Sequence, residues 1–389
     1  MRFSALDAFR GICAVLVALF HVRLQSDLNG QFLVHNAFLL VDFFFVLSGF
    51  VMVEAYGRQL DTPREAMAFL LRRFGRLYPL HLFTLGCMVA IALGALLTQY
   101  LTGIPLSRAV FEGRQSLPSL ATNLAMLQAY GLHDGLTWNA PGWSIAAEFF
   151  AYVLFAIVLL FPRRFLAPLA GALVLGSGLI LFIRSPAYLA GSYDFGFLRA
   201  VCGFFAGVIA WHVSHRFGAA LDGRRLTGTL LEILFVALVC LFVARAGTSI
   251  WTMTGPLLYG LTVALFSREA GFVSAALRRP SLERLGAWSY SIYMIHYSVV
   301  TLLKTIVEFS EKRWGMDMTS PLPGIPEPGL ISFGDHWLMD GVSVAYVGVV
   351  IFLAWLTYRH VEQPARRYVN SLTNPPITPP PSQAPATSP

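Results

Sequence analysis

The stretch Leu6-Asp7-Ala8-Phe9-Arg10-Gly11-Ile12-Cys13-Ala14-Val15-Leu16-Val17-Ala18-Leu19-Phe20-His21-Val22 decides the fold class. It is long enough to cross a hydrocarbon layer as a helix, and it is apolar except at Asp7, Arg10 and His21. Arg10 and His21 are 11 residues apart. At 3.6 residues per turn they project from one face, about 16 Å apart along the axis. Ionisable groups are costly in a bilayer and face a bundle interior or a wet cavity. The first span therefore carries a polar stripe that a purely structural helix would avoid.

The rest of the chain repeats the membrane pattern. Of its 389 residues 56% are hydrophobic and 13% charged, with mean hydropathy +0.63. Soluble multidomain readings are excluded, because apolar runs near membrane length recur throughout. The runs predict an all-α polytopic transmembrane bundle of about ten spans. They cover 6–24, 37–55, 79–99, 144–161, 166–183, 196–213, 228–245, 251–266, 286–306 and 339–358, the eighth being short. Segment 116–131 reads as a re-entrant or interfacial helix. Residues 1–370 form one membrane domain, and the Pro-rich tail 371–389 is expected to be disordered. Arg2 followed by apolar sequence resembles a secretory signal, but no small-residue cleavage pattern follows, so a retained first span is expected.

Most of the 28 Lys and Arg residues fall at the predicted helix ends that share a side with the N-terminus. The positive-inside rule makes that side cytoplasmic and predicts both termini there. The net charge of +7 is thus a topology signal rather than a sign of nucleic-acid binding. Cys13, Cys87, Cys202 and Cys240 all lie in apolar runs without metal-type spacing, so neither a disulfide framework nor a metal site is expected. No Walker loop and no dinucleotide-type glycine fingerprint is present.

Several side chains carry chemistry, each with a bland reading beside it. His21 is either a satisfied structural hydrogen-bond partner or a general base or transiently acylated nucleophile. Glu148, in Trp143-Ser144-Ile145-Ala146-Ala147-Glu148-Phe149-Phe150-Ala151-Tyr152, shares a helix face with Ser144 and Tyr152. It is either a water-satisfied interfacial carboxylate or a group that orients His21, with which the predicted topology places it at the outer end of the bundle. Arg72-Arg73-Phe74-Gly75-Arg76 precedes the predicted third span. Its arginines are either topology determinants or, as Arg73 and Arg76 with Arg10, a cationic mouth for phosphates. Ser48-Gly49 ends an aromatic run, and either packs helices closely or leaves room for a thin ligand arm. Tyr290, Ser291 and His296 place hydroxyls and an imidazole in the core of the ninth span.

Together these residues resemble the acyltransferase-3 family of integral membrane acyltransferases. The resemblance runs in chain order through Arg10/His21, the aromatic segment ending at Phe50, Arg73/Arg76 with Tyr78-Pro79, and Trp143-Ser144 with Glu148 and Tyr152. It continues through Tyr290-Ser291-Ile292-Tyr293-Met294-Ile295-His296 and closes at Val361-Glu362-Gln363-Pro364 with Arg366-Arg367. It implies O-acylation, usually O-acetylation, of an extracytoplasmic carbohydrate or envelope glycan in a bacterial cytoplasmic membrane. The implied donor is cytosolic acetyl-CoA or another acyl-CoA, acting as a substrate with no permanently bound cofactor. The partners expected are thus the lipid bilayer, the acyl-CoA and the glycan. On this reading His21 and Glu148 are catalytic; Arg10, Arg73, Arg76, Ser48 and Tyr290 hold the donor; Trp143, Ser144, Tyr152, Ser291 and His296 line the acceptor side or the pathway. The rival expectation is a transporter or flippase for a lipid-linked sugar or small molecule, against which stands the lack of an evident internal repeat.

Overall fold

The computed structural model describes residues 3–106, 110–221, 223–320 and 329–373, so the predicted tail lies outside the described residues from 374 onward. The chain builds helices α1 (Ser4–Val22), α2 (Leu40–Tyr56), α3 (Pro63–Thr102), α4 (Gly142–Leu159), α5 (Leu166–Arg184) and α6 (Gly196–Phe217). It continues with α7 (Arg225–Ala246), α8 (Gly255–Phe266), α9 (Ser289–Trp314), α10 (His336–Thr357) and α11 (Gln363–Thr373). A π-helical segment, Tyr358–Glu362, joins the last two. Among the described residues the only strands are the two-residue pair Thr319–Ser320 and Leu330–Ile331. Nine helices among them are long and apolar enough to cross a membrane, and Ile250–Phe266 is a shorter apolar segment. In segment 116–131 only Leu117–Leu124 is helical.

Lipid is needed to cover this surface. α7 has a mean hydropathy of 2.5, yet only 17% of its apolar window is buried by the protein. Leu175, Ile183 and Leu230 are 74%, 65% and 60% exposed. A water-soluble protein of this size would leave no such continuous apolar belt uncovered.

The third helix departs from expectation. It begins at Pro63, sixteen residues before the predicted start at 79. Thr62 and Glu65 form a reciprocal capping box, with Pro63 in the first turn, and these are strong helix-start signals. Pro79, at the predicted start, lies inside the helix. Arg72, Arg73 and Arg76 therefore ride on a helix wall rather than on a connecting loop.

Glycines set the closest contacts. A Cβ at Gly49 would lie 1.8 Å from the Phe204 carbonyl oxygen, and one at Gly207 would lie 1.9 Å from that of Val46. α2 and α6 thus touch backbone to backbone, the small-residue packing used within membranes. Beside this contact lies a buried ion pair. Arg199 on α6 donates from Nε to Asp42 Oδ1 (2.7 Å) and from Nη2 to Asp42 Oδ2 (3.0 Å), and also to the Phe38 carbonyl. The bidentate geometry and the extra carbonyl acceptors satisfy charges that would be prohibitive alone.

Candidate active site

One end of the bundle opens as a cationic vestibule of about 380 Å³. Arg72, Arg73 and Arg76 of α3 and Arg366 and Asn370 of α11 line it, with Tyr56 at the end of α2. Arg73 Nη2 donates to the Tyr56 hydroxyl (2.8 Å), and the Arg73 guanidinium sits 5.2 Å from the Tyr56 ring centre. Among the described residues the lining has four guanidinium groups and no carboxylate. Nε of Arg73 and of Arg76 are buried without a hydrogen-bond partner among the described residues. Guanidinium forks match phosphate oxygens, so four of them around one opening can take up an anion.

Arg76 also reaches into a second, narrower space of about 80 Å³. Arg10, Ser48, Glu148, Tyr152 and Tyr290 line it, and Ser144, Tyr293, Phe44 and Leu47 complete its walls. Glu148 Oε1 accepts from Ser48 Oγ (2.7 Å) and from the Tyr152 hydroxyl (2.5 Å). Tyr290 donates to the Leu77 carbonyl (2.6 Å), tying α9 to α3. Ser144, Glu148 and Tyr152 line the cleft together, as their shared helix face requires. Both readings of Ser48-Gly49 hold at once, since Gly49 packs on α6 while Ser48 faces the cleft.

The cleft stops at Tyr293, whose hydroxyl meets Ser144 Oγ at 2.8 Å. Beyond its ring comes His296, with ring centres 5.9 Å apart, and then His21, whose ring centre is 4.9 Å from that of His296. His21 and His296 contact each other directly, Nδ1 to Nε2 at 3.3 Å. The expected pairing of His21 with Glu148 is corrected here: the partners of Glu148 are Ser48 and Tyr152, on the arginine side of Tyr293. The reason lies ahead of α4. Trp138 and Asn139 are already buried, and Asn139 Nδ2 donates to Thr84 of α3 and to the Met294 carbonyl of α9. The chain enters the bundle before its helix starts, so Glu148, six residues into α4, lands deeper than a helix starting at the surface would put it.

Two predicted lining residues lie elsewhere. Trp143 packs under Arg199, 5.2 Å from the guanidinium, and braces the buried ion pair rather than the cleft. Ser291 is fully buried and donates to Glu362 (2.9 Å). The structure adds Tyr56, Tyr293 and Arg366 to the site. Tyr293 was legible as the middle of a Tyr290, Tyr293, His296 stripe at helical spacing. Arg366 stands in the closing motif of the resemblance but was given no role, because it reaches the vestibule only through the packing of α11 on α3. Val369 of α11 fills the space over Gly75, where a Cβ would lie 2.4 Å from its methyl.

The acyltransferase-3 family, described as an acyltransferase domain, matches residues 3–359. The chain belongs to this family, and it is an acyltransferase. Among its relatives, the exopolysaccharide production protein ExoZ of Rhizobium meliloti is 28% identical over 68% of this chain and 76% of its own length. Acyltransferase MdmB of Streptomyces mycarofaciens is 23% identical over 94% of this chain and 92% of its own. The peptidoglycan O-acetyltransferase OatA of Listeria monocytogenes is 23% identical over 93% of this chain, which spans 56% of that protein. No solved structure matches.

Proposed function

We propose that this acyltransferase moves an acyl group, acetyl in the simplest case, from a cytosolic acyl-CoA to a hydroxyl of an extracytoplasmic carbohydrate of a bacterial envelope. The observation that carries the reading is the run of a carboxylate-free cationic vestibule into a thin, largely apolar cleft that ends one tyrosine ring from a histidine pair. A CoA thioester has the matching form: a polyanionic nucleotide end, a long thin arm and a reactive carbonyl at its tip. Arg72, Arg73, Arg76 and Arg366 hold the phosphates, and the arm passes Arg10, Ser48 and Tyr290. Glu148 fixes the cleft walls through Ser48 and Tyr152. His21, at the far end of α1, takes the proton of the attacking hydroxyl, and a base within hydrogen-bond reach of that proton contributes typically 10²–10⁴-fold. The relatives named for exopolysaccharide production and peptidoglycan O-acetylation favour a glycan acceptor.

Two measurements test this. Purified protein in detergent moves labelled acetyl from acetyl-CoA to glycan extracted from cells lacking the protein; a requirement for a sealed membrane would instead indicate transport. His21→Ala keeps the protein in the membrane and lowers transfer at least hundredfold, whereas full transfer by that variant removes the base from the scheme.

A further inference from the structure

His296 sits in the interior of α9, fully buried, and the scheme above gives it no task. Its contacts, with those of His21, determine which nitrogen of each ring carries the proton. His21 Nδ1 lies 2.9 Å from the Val17 carbonyl oxygen, and His296 Nδ1 lies 3.2 Å from that of Ile292. A carbonyl only accepts, so both Nδ1 atoms carry hydrogen in the neutral rings. His296 Nε2 is then a bare acceptor, and it lies 3.3 Å from His21 Nδ1. The His21 Nδ1–H is thereby shared between Val17 O and His296 Nε2. His21 Nε2 carries the free lone pair and has no hydrogen-bond partner among the described residues. The His21 ring is further held between the edge-on rings of Phe20 and Tyr297, at 4.8 and 5.7 Å.

We propose that His296 is a positioning residue for the acyl transfer: it fixes His21 as the Nδ1–H tautomer, with Nε2 aimed as the base. The inference rests on the function proposed above. In the step it serves, the acceptor hydroxyl gives its proton to His21 Nε2 as its oxygen bonds to the thioester carbonyl carbon. The carbon–sulfur bond then breaks, and the departing thiolate takes that proton from Nε2. Both ring nitrogens of His21 carry hydrogen in between, and Nδ1–H keeps its two acceptors throughout. This is the arrangement by which a third group orients a catalytic imidazole, with a neutral imidazole and a carbonyl in place of a carboxylate. An orienting acceptor that favours the imidazolium acts on turnover rather than on donor binding.

The test has a kinetic arm and a spectroscopic arm. His296→Leu keeps the volume and removes the acceptor, while His296→Gln returns an oxygen near the position of Nε2. The expected result is a kcat reduced ten- to hundredfold in His296→Leu, with KM for acetyl-CoA within twofold of wild type, and most of the loss restored in His296→Gln. Wild-type kcat in His296→Leu overturns the proposal, as does a glutamine variant as impaired as the leucine one. The second arm needs no substrate. Nitrogen NMR of ¹⁵N-histidine-labelled protein in lipid, with the His21 signals assigned by their loss in His21→Gln, is expected to show protonated Nδ1 and bare Nε2. The opposite tautomer overturns the inference even if the donor or acceptor is other than proposed. Full activity in His21→Ala would overturn the base reading itself and leave the tautomer to be decided by the spectrum.

Discussion

Arg76 is the residue shared by the vestibule and the cleft, and its Nε, like that of Arg73, is buried without a hydrogen-bond partner among the described residues. A charge-assisted hydrogen bond is worth about 1.5–3 kcal/mol, so Arg76→Gln is expected to raise KM for acyl-CoA roughly ten- to hundredfold. Steady-state kinetics with the acceptor held constant checks this. Asp42 is the opposite case, a charge already satisfied. Asp42→Asn leaves Arg199 buried with only carbonyls to bond, and breaking a buried pair costs about 3–5 kcal/mol. A clearly lower thermal midpoint in detergent is expected, together with poorer insertion. Much of the site was legible at this scale. Arg10, Ser48, Glu148, Tyr152 and Tyr290 fall in one cleft because helical periodicity and cost in lipid both mark them. Asp42 and Arg199 escaped notice because they lie 157 residues apart, and a lone charge in an apolar run does not name its partner.

At the scale of elements, helix existence was readable and helix starts were not. The predicted start at 79 follows the apolar run, while the capping box at Thr62 lies outside that run. The continuous α3 puts Arg72, Arg73 and Arg76 on a rigid wall, against which α11 packs through Gly75 and Val369. A larger side chain at position 75 must displace α11 and carry Arg366 away from the phosphates. Gly75→Leu is thus expected to weaken donor use at least tenfold while the His21–His296 contact survives. Measuring KM for acyl-CoA beside the histidine nitrogen spectrum separates the two effects. The burial of residues 138 and 139 ahead of α4, which moved Glu148 away from His21, is a tertiary event with no signature in local sequence.

At the scale of the molecule, the hydropathy carried the architecture, since it follows from the bilayer as solvent rather than from pairwise contacts. If Ile250–Phe266 crosses along with the nine longer helices, both ends of the described chain share a side, and the arginine count predicts that this side is cytoplasmic. Single cysteines placed at Ser4 and Thr373, in a background without the native four, are expected to resist a membrane-impermeant thiol reagent in intact cells. They should react once the membrane is opened; labelling of either in intact cells would overturn the orientation.

Tyr293 has a consequence for the cell as well as for the reaction. On the proposed reading, the thioester and the glycan approach from opposite sides of an energised membrane, so the protein contains most of a conduit through its own insulator. On that reading the Tyr293 ring, which stands between Ser144 and His296, must admit the thioester to His21 while limiting the leak of ions through the same space.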